Sequence, residues 1–160
     1  MRNLIVDHLK NFIHNIVSVD SSIKWKMMNS WVVRHKKGDW SQSHNHPNCT
    51  LSGILYLQVD ENSGRICFEN INRKTLFEEC LPLPLKEHNM LNSSKYYFSP
   101  KSGDIVIFPS HLSHSVEVCK SENERYCLPF NVYCEGYFGK ESNEKISDLI
   151  LEVKNGSSIF

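Results

Sequence analysis

After one helix-like segment the chain passes through a succession of short strand-like runs with no second helix between them. That succession restricts the fold more than any other feature. TLSGILYLQV (residues 50–59), RICFEN (65–70), KYYFSP (95–100), GDIVIFP (103–109), HSVEV (114–118) and RYCLPFNVY (125–133) are rich in β-branched and aromatic residues and bounded by Gly, Pro, Asn and Ser. A parallel sheet would need strand–helix–strand alternation, which is absent, so the pattern predicts antiparallel sheets closed into a sandwich or barrel. Residues 3–18 place Leu4, Ile5, Leu9, Phe12, Ile13, Ile16 and Val17 on one stripe, an amphipathic helix packed on the main body. SSIKWKMMNSWVVRH (21–35) reads as one or two strands with Trp31 and Val33 on one face. Pro129, inside the last run, predicts an edge strand or a bulge.

Residues 70–94, with Pro82 and Pro84, read as a long irregular loop. The tail from about residue 140 reads as a short helix that then frays. The expected fold class is all-β with flanking helices, a single domain over residues 1–160. An N-terminal helix would occupy about 1–20, the core about 31–133 and the tail about 140–160.

Charge narrows the partners. Lys+Arg and Asp+Glu number 18 each, for a formal net charge of zero, so there is no overall electrostatic footprint for nucleic acid or an anionic membrane. Asp7, His8 and Lys10 interrupt the N-terminal apolar residues too early for a secretory signal, and no apolar run reaches the roughly 18 residues that span a bilayer. The six cysteines lack CxxC spacing and several lie in apolar runs, so they are expected as reduced thiols in a cytoplasmic protein.

GDWSQSHNHPN (38–48) carries the chemistry. If extended, it would project His44 and His46 to one side, and Pro47 favours extension of the residue before it. Two imidazoles on one face can hold a divalent metal, and a third protein ligand leaves positions open for other ligands. GDIVIFPSHLSHSVEV offers His114 at the start of a strand and His111 in the turn before it, the latter expected to face solvent. Other assignments stay open on the residues alone: His46 with Asn48 as the pair, or Asp39 or Glu69 as a carboxylate ligand.

Gly38, His44-x-His46, Gly103, Pro109 and His114 in this order resemble the two motifs of the cupin superfamily. HxHPN…SGILYL, G-x-I-x-F, GDIVIFPS-x-L-x-H-x-V and R…FNVY together resemble a family of iron(II)/2-oxoglutarate oxygenases with bacterial and phage members, related to prolyl hydroxylases. The likeness runs from about Trp31 to Tyr133. It implies a double-stranded β-helix, or jelly roll, with iron(II) held by His44, His46 and His114. It also implies 2-oxoglutarate as cosubstrate, its distal carboxylate on Arg125 and Tyr56, with Asn131 facing the same pocket. A planar guanidinium suits that task because it pairs with a carboxylate through two parallel hydrogen bonds.

Departures from the pattern bear on the metal. Most such dioxygenases use HxD or HxE, whereas His46 leaves the centre one charge unit more positive. The glutamate that cupins place after the second histidine is missing; Thr50 and Leu51 stand there. The implied reaction is hydroxylation of a peptidyl, amino-acid or small-molecule substrate with release of succinate and carbon dioxide. The alternatives are a cupin-type three-histidine metalloenzyme without 2-oxoglutarate and a non-catalytic jelly-roll binding module. Neither substrate nor oligomeric state is legible.

Overall fold

The computed structural model describes residues 1–69, 84–89, 93–138 and 149–160. Most of the expected 70–94 loop, and the tail's expected helix as far as residue 148, lie outside these residues. Helix α1 (Arg2–Lys10) continues into a wider-wound turn, Asn11–Ile16. There the Val17 N–H reaches five residues back, to the Phe12 carbonyl at 2.9 Å. The stripe explains the widening. Ile5, Leu9 and Ile13, each 0–2% exposed, recur every four residues, and a period of 3.6 would carry Ile13 off the buried line.

Eleven strands are described: β1 (Lys24–Ser30), β2 (Val33–His35), β3 (Ser41–His44), β4 (Leu51–Gln58), β5 (Ile66–Glu69), β6 (Lys95–Phe98), β7 (Ile105–Pro109), β8 (Ser113–Val116), β9 (Arg125–Phe138), β10 (Leu149–Leu151) and β11 (Ser157–Ser158). The described part of the tail therefore pairs as strand, where a fraying helix was expected. One sheet runs β11-β1-β9-β4-β7, with β2 and β10 also on β9; the other runs β3-β8-β5-β6. Every pairing is antiparallel. From β2 to β9 the chain interleaves the orders 2-9-4-7 and 3-8-5-6, which is the eight-stranded jelly roll anticipated from the sequence.

Strand alternation builds two cores. Leu51 and Leu55 of β4, with Phe130, Val132 and Cys134 of β9, join Ile5, Leu9, Ile13 and Trp25 beneath the helix. The opposite faces contribute Ile54, Tyr56 and Cys127, which meet Ile66 and Phe108 between the sheets. Cys49, Cys67, Cys119, Cys127 and Cys134 are free. No described helix is long and apolar enough to cross a membrane.

Pro129 does not lie at a sheet edge. It pairs with Ile54 in the interior of the sheet, and its other side falls where β1 ends at Ser30 and β2 has yet to begin at Val33. The Pro129 carbonyl accepts from the Trp31 N–H at 3.2 Å. A residue's N–H and C=O leave a strand on the same side, so the missing proline N–H faces that break and no ladder bond is lost.

The turn between β4 and β5 is fixed by one carboxylate. Asp60 Oδ1 accepts from Asn62 N–H (3.1 Å) and Ser63 Oγ (2.8 Å), while Oδ2 accepts from Ser121 Oγ and Asn123 Nδ2. Those hydrogen bonds to Ser121, Ser63 and Asn123 hold its carboxyl at about 2. Gly64 follows at φ +85°, and a Cβ there would stand 2.4 Å from the Glu117 carbonyl oxygen.

Two measurements check this account. At Gly53 a Cβ would lie 2.2 Å from the Phe130 ring, which is fully buried, so Gly53→Ala should lower the urea midpoint by the equivalent of about 1–3 kcal/mol. Asp60 has a folded-state pKa of about 2 against an ordinary value of 3.8, so its contribution is present above pH 3.8 and lost as pH falls through 2. The urea midpoint of Asp60→Asn should therefore trail that of the parent at pH 6, and the gap should close as the pH approaches 2.

Candidate functional site

β3 ends at His44, and the antiparallel register sets His44 directly opposite His114 of β8. Their ring centroids are 4.3 Å apart, the closeness of an adjacent cross-strand pair. His46 lies beyond the strand. Its N–H donates to the Ser110 carbonyl at 2.9 Å, and the chain then turns through Pro47 and Asn48, the latter at φ +59°. His46 follows the last residue of β3 by two positions, and its ring lies beside those of His44 and His114, at 5.2 and 5.1 Å between centroids.

In all three rings Nδ1 faces an oxygen that can only accept. His44 Nδ1 lies 2.8 Å from the Gln42 carbonyl, His114 Nδ1 3.0 Å from that of Leu112, and His46 Nδ1 2.8 Å from Asn131 Oδ1. Each Nδ1 must carry a proton and donate it, which leaves Nε2 as the nitrogen through which each ring can ligate. The potential ligand atoms lie within 4.8 Å of one another. His46 Nε2 is buried with no hydrogen-bond partner. Burial lowers the pKa of His46, and lowers that of His114 to about 4, so both rings are neutral at pH 7. Three clustered imidazoles, each with Nδ1 engaged by an oxygen acceptor, suit a first-row divalent metal such as iron(II).

Behind His46 the support is dense. Asn131 Oδ1 also accepts from Ser52 Oγ (2.8 Å), Asn131 Nδ2 donates to Asn29 Oδ1 (2.9 Å), and Ser52 Oγ meets Ser110 Oγ (2.9 Å). Asn131, expected at the cosubstrate, is thus committed to orienting a histidine. The edge of the Phe108 ring approaches His114 (centroids 4.8 Å apart), and Trp31 stacks near His46 (6.3 Å).

From the histidines a cavity of about 220 Å³ runs to Arg125, walled by Trp31, Val33, His35, Ser41, Ile54 and Cys127. Arg125 opens β9 and is 1% exposed, a buried guanidinium with no carboxylate hydrogen-bonded to it among the described residues. Its Nη1 donates to the Ser63 (3.3 Å) and Gly64 (3.0 Å) carbonyls of the Asp60 turn, and its Nε has no partner. Tyr56 lies beneath it, the guanidinium carbon 5.0 Å from the ring centroid. The phenol is wholly buried, its hydroxyl unpartnered, and it is not part of the cavity wall. Burial raises its pKa against the opposing effect of the Arg125 charge, so it stays neutral.

The other sequence candidates are engaged elsewhere. His111 is exposed. Asp39 accepts from the Lys36 N–H (2.8 Å), and Glu69 accepts from Ser43 Oγ (3.1 Å) and pairs with Lys95 (3.2 Å). Sequence reading missed His35, Ser41 and Asn29. The alternation that put Trp31 and Val33 on one face would have carried His35 with them.

A family model described as "Putative 2OG-Fe(II) oxygenase" matches residues 29–131. Solved structures share the fold. The epimerase SnoN from nogalamycin biosynthesis, described as non-heme and alpha-ketoglutarate dependent, aligns with TM-score 0.62 at 8% identity, over 100% of this chain and 73% of that one. A 2OG-Fe(II) oxygenase family oxidoreductase from Burkholderia pseudomallei gives 0.57 at 13%, over 78% of this chain and 50% of its own. A Pseudomonas putida prolyl-4-hydroxylase gives 0.51 at 16%, over 78% and 59%. The chain thus spans only half the length of the Burkholderia protein. No curated protein matches in sequence. The match covers more than half of the chain and includes all three clustered histidines and Arg125, and the protein belongs to the 2OG-Fe(II) oxygenase family.

Proposed function

We propose that this chain is an iron(II)- and 2-oxoglutarate-dependent dioxygenase that hydroxylates a small-molecule, amino-acid or peptidyl substrate. The observation that carries the reading is the pairing of two unsatisfied groups at opposite ends of one cavity. Three Nε2 lone pairs converge at one end, and a buried guanidinium without a carboxylate partner stands at the other. A cosubstrate with a metal-chelating 2-oxo acid head and a distal carboxylate complements both.

His44, His46 and His114 would hold the metal. Iron(II) with bound 2-oxoglutarate supplies the oxidising chemistry, with succinate and carbon dioxide as coproducts. Arg125 receives the distal carboxylate, and the Ser63 and Gly64 carbonyls fix its orientation. Tyr56, beneath the guanidinium, keeps its planar face in place. Asn131 acts through His46, holding the protonated Nδ1 so that Nε2 stays turned to the metal. Phe108 and Ile54 keep the cavity wall apolar, which strengthens the charge pairing at its end. Trp31, 39% exposed and stacked near His46, stands at the cavity's open side, where a substrate would approach. We read residues 1–160 as one oxygenase domain. The free cysteines accord with a reducing, cytoplasmic setting.

Anaerobic addition of iron(II) and then 2-oxoglutarate should produce the weak visible charge-transfer band of a chelated 2-oxo acid. A folded protein that binds iron(II) and gives no band would instead be a three-histidine metalloprotein of the cupin type. Arg125→Ala should raise the 2-oxoglutarate concentration for half-saturation about a hundredfold while leaving metal affinity intact. Asn131→Ala should do the reverse, weakening metal binding about 10–100-fold, read by competition with a chelating dye.

A further inference from the structure

The antiparallel register places His35 of β2 directly opposite Arg125 of β9. Both side chains are buried, at 8% and 1% exposure, and both line the cavity that leads from the three histidines. Each has a buried nitrogen with no hydrogen-bond partner, Nδ1 on His35 and Nε on Arg125. Two such atoms at one rung are expensive, because neither retains water and neither satisfies the other. The remaining His35 nitrogen, Nε2, lies 3.4 Å from Ser41 Oγ, and Ser41 also lines the cavity. Asp39, the nearby carboxylate, is held by the Lys36 N–H in the turn after β2.

We propose that His35 is a cosubstrate-binding residue, donating an N–H to the distal carboxylate of a 2-oxo dicarboxylic acid whose other oxygen is held by Arg125. The inference deepens the reading above and rests on it. A carboxylate has two oxygens and only accepts, so it satisfies at once the two donors at this rung. The electrostatics agree. His35 has a lowered pKa, first because it is desolvated and second because it faces the Arg125 charge. An anion between the two offsets both effects. His35 also adds length selection, since a carboxylate reaching this rung must hang from a chain long enough to span the cavity from the metal.

The test uses the full chain loaded with manganese(II), which is redox-silent here, and reads binding by calorimetry. Two ligands are compared: 2-oxoglutarate and 2-oxobutyrate, which has the same chelating head and no distal carboxylate. His35→Phe keeps the bulk and removes both ring nitrogens. It should weaken 2-oxoglutarate about 10–100-fold, leave 2-oxobutyrate within twofold, and leave manganese affinity unchanged. His35→Gln retains an N–H donor and should recover most of the lost 2-oxoglutarate affinity; His35→Leu, which likewise lacks both nitrogens, takes the place of the phenylalanine variant if that one does not fold. Equal weakening of both acids, or unaltered 2-oxoglutarate binding in the variant that lacks both ring nitrogens, overturns the assignment of His35. A parent protein that binds manganese but neither acid overturns the oxygenase reading as well, so the two failures are distinguishable.

Discussion

Three hydrogen bonds from imidazole Nδ1 to oxygen acceptors set the chemistry of the site. A histidine free to rotate or change tautomer offers a divalent ion either nitrogen and holds neither in place. Here the Gln42 and Leu112 carbonyls and the Asn131 carboxamide each remove that freedom. Two of the acceptors belong to the backbone two residues before the ring they orient, so the geometry is local and cheap to maintain. The third is a side chain on β9, which ties the most awkward ligand, the one beyond its strand, to the centre of the large sheet.

β9 is the element that makes folding and chemistry one problem. Its Phe130, Val132 and Cys134 face the helix-side core, and its Arg125, Cys127 and Asn131 face the space between the sheets. A one-residue slip in its register would exchange the two sets, burying a guanidinium under the helix and turning Phe130 toward the metal end. Phe130 has room on the helix side because Gly53 opposite it carries no Cβ, which favours this register. Packing on one face thereby fixes the placement of polar atoms on the other.

Most of this was legible from residue order. Alternation in the runs from residue 50 onward identified the strands and, with the helix stripe, the antiparallel two-sheet fold. The histidine pair and His114 were visible because their motifs are contiguous in sequence. What escaped depends on pairing between distant segments. His35 lies in a run whose partner strand begins some ninety residues later, and only the register puts it against Arg125. Asn131 was placed on the correct face but given the wrong neighbour, since parity says which side a residue faces and not what stands there. Pro129 misled for a related reason. Proline disfavours a central strand only if its missing N–H would have had a partner, and the break between β1 and β2 removes that partner.

That break has a mechanical consequence. On one side of β9, continuity across Leu128 and Pro129 depends on a single bond from Trp31, while β4 supports the other side throughout. The large sheet is therefore articulated at the level of the cavity: a rigid plate behind, a two-piece panel in front, with the indole at the joint. A bend at that joint would shift β2 relative to β1 while leaving every ladder bond between β9 and β4 in place.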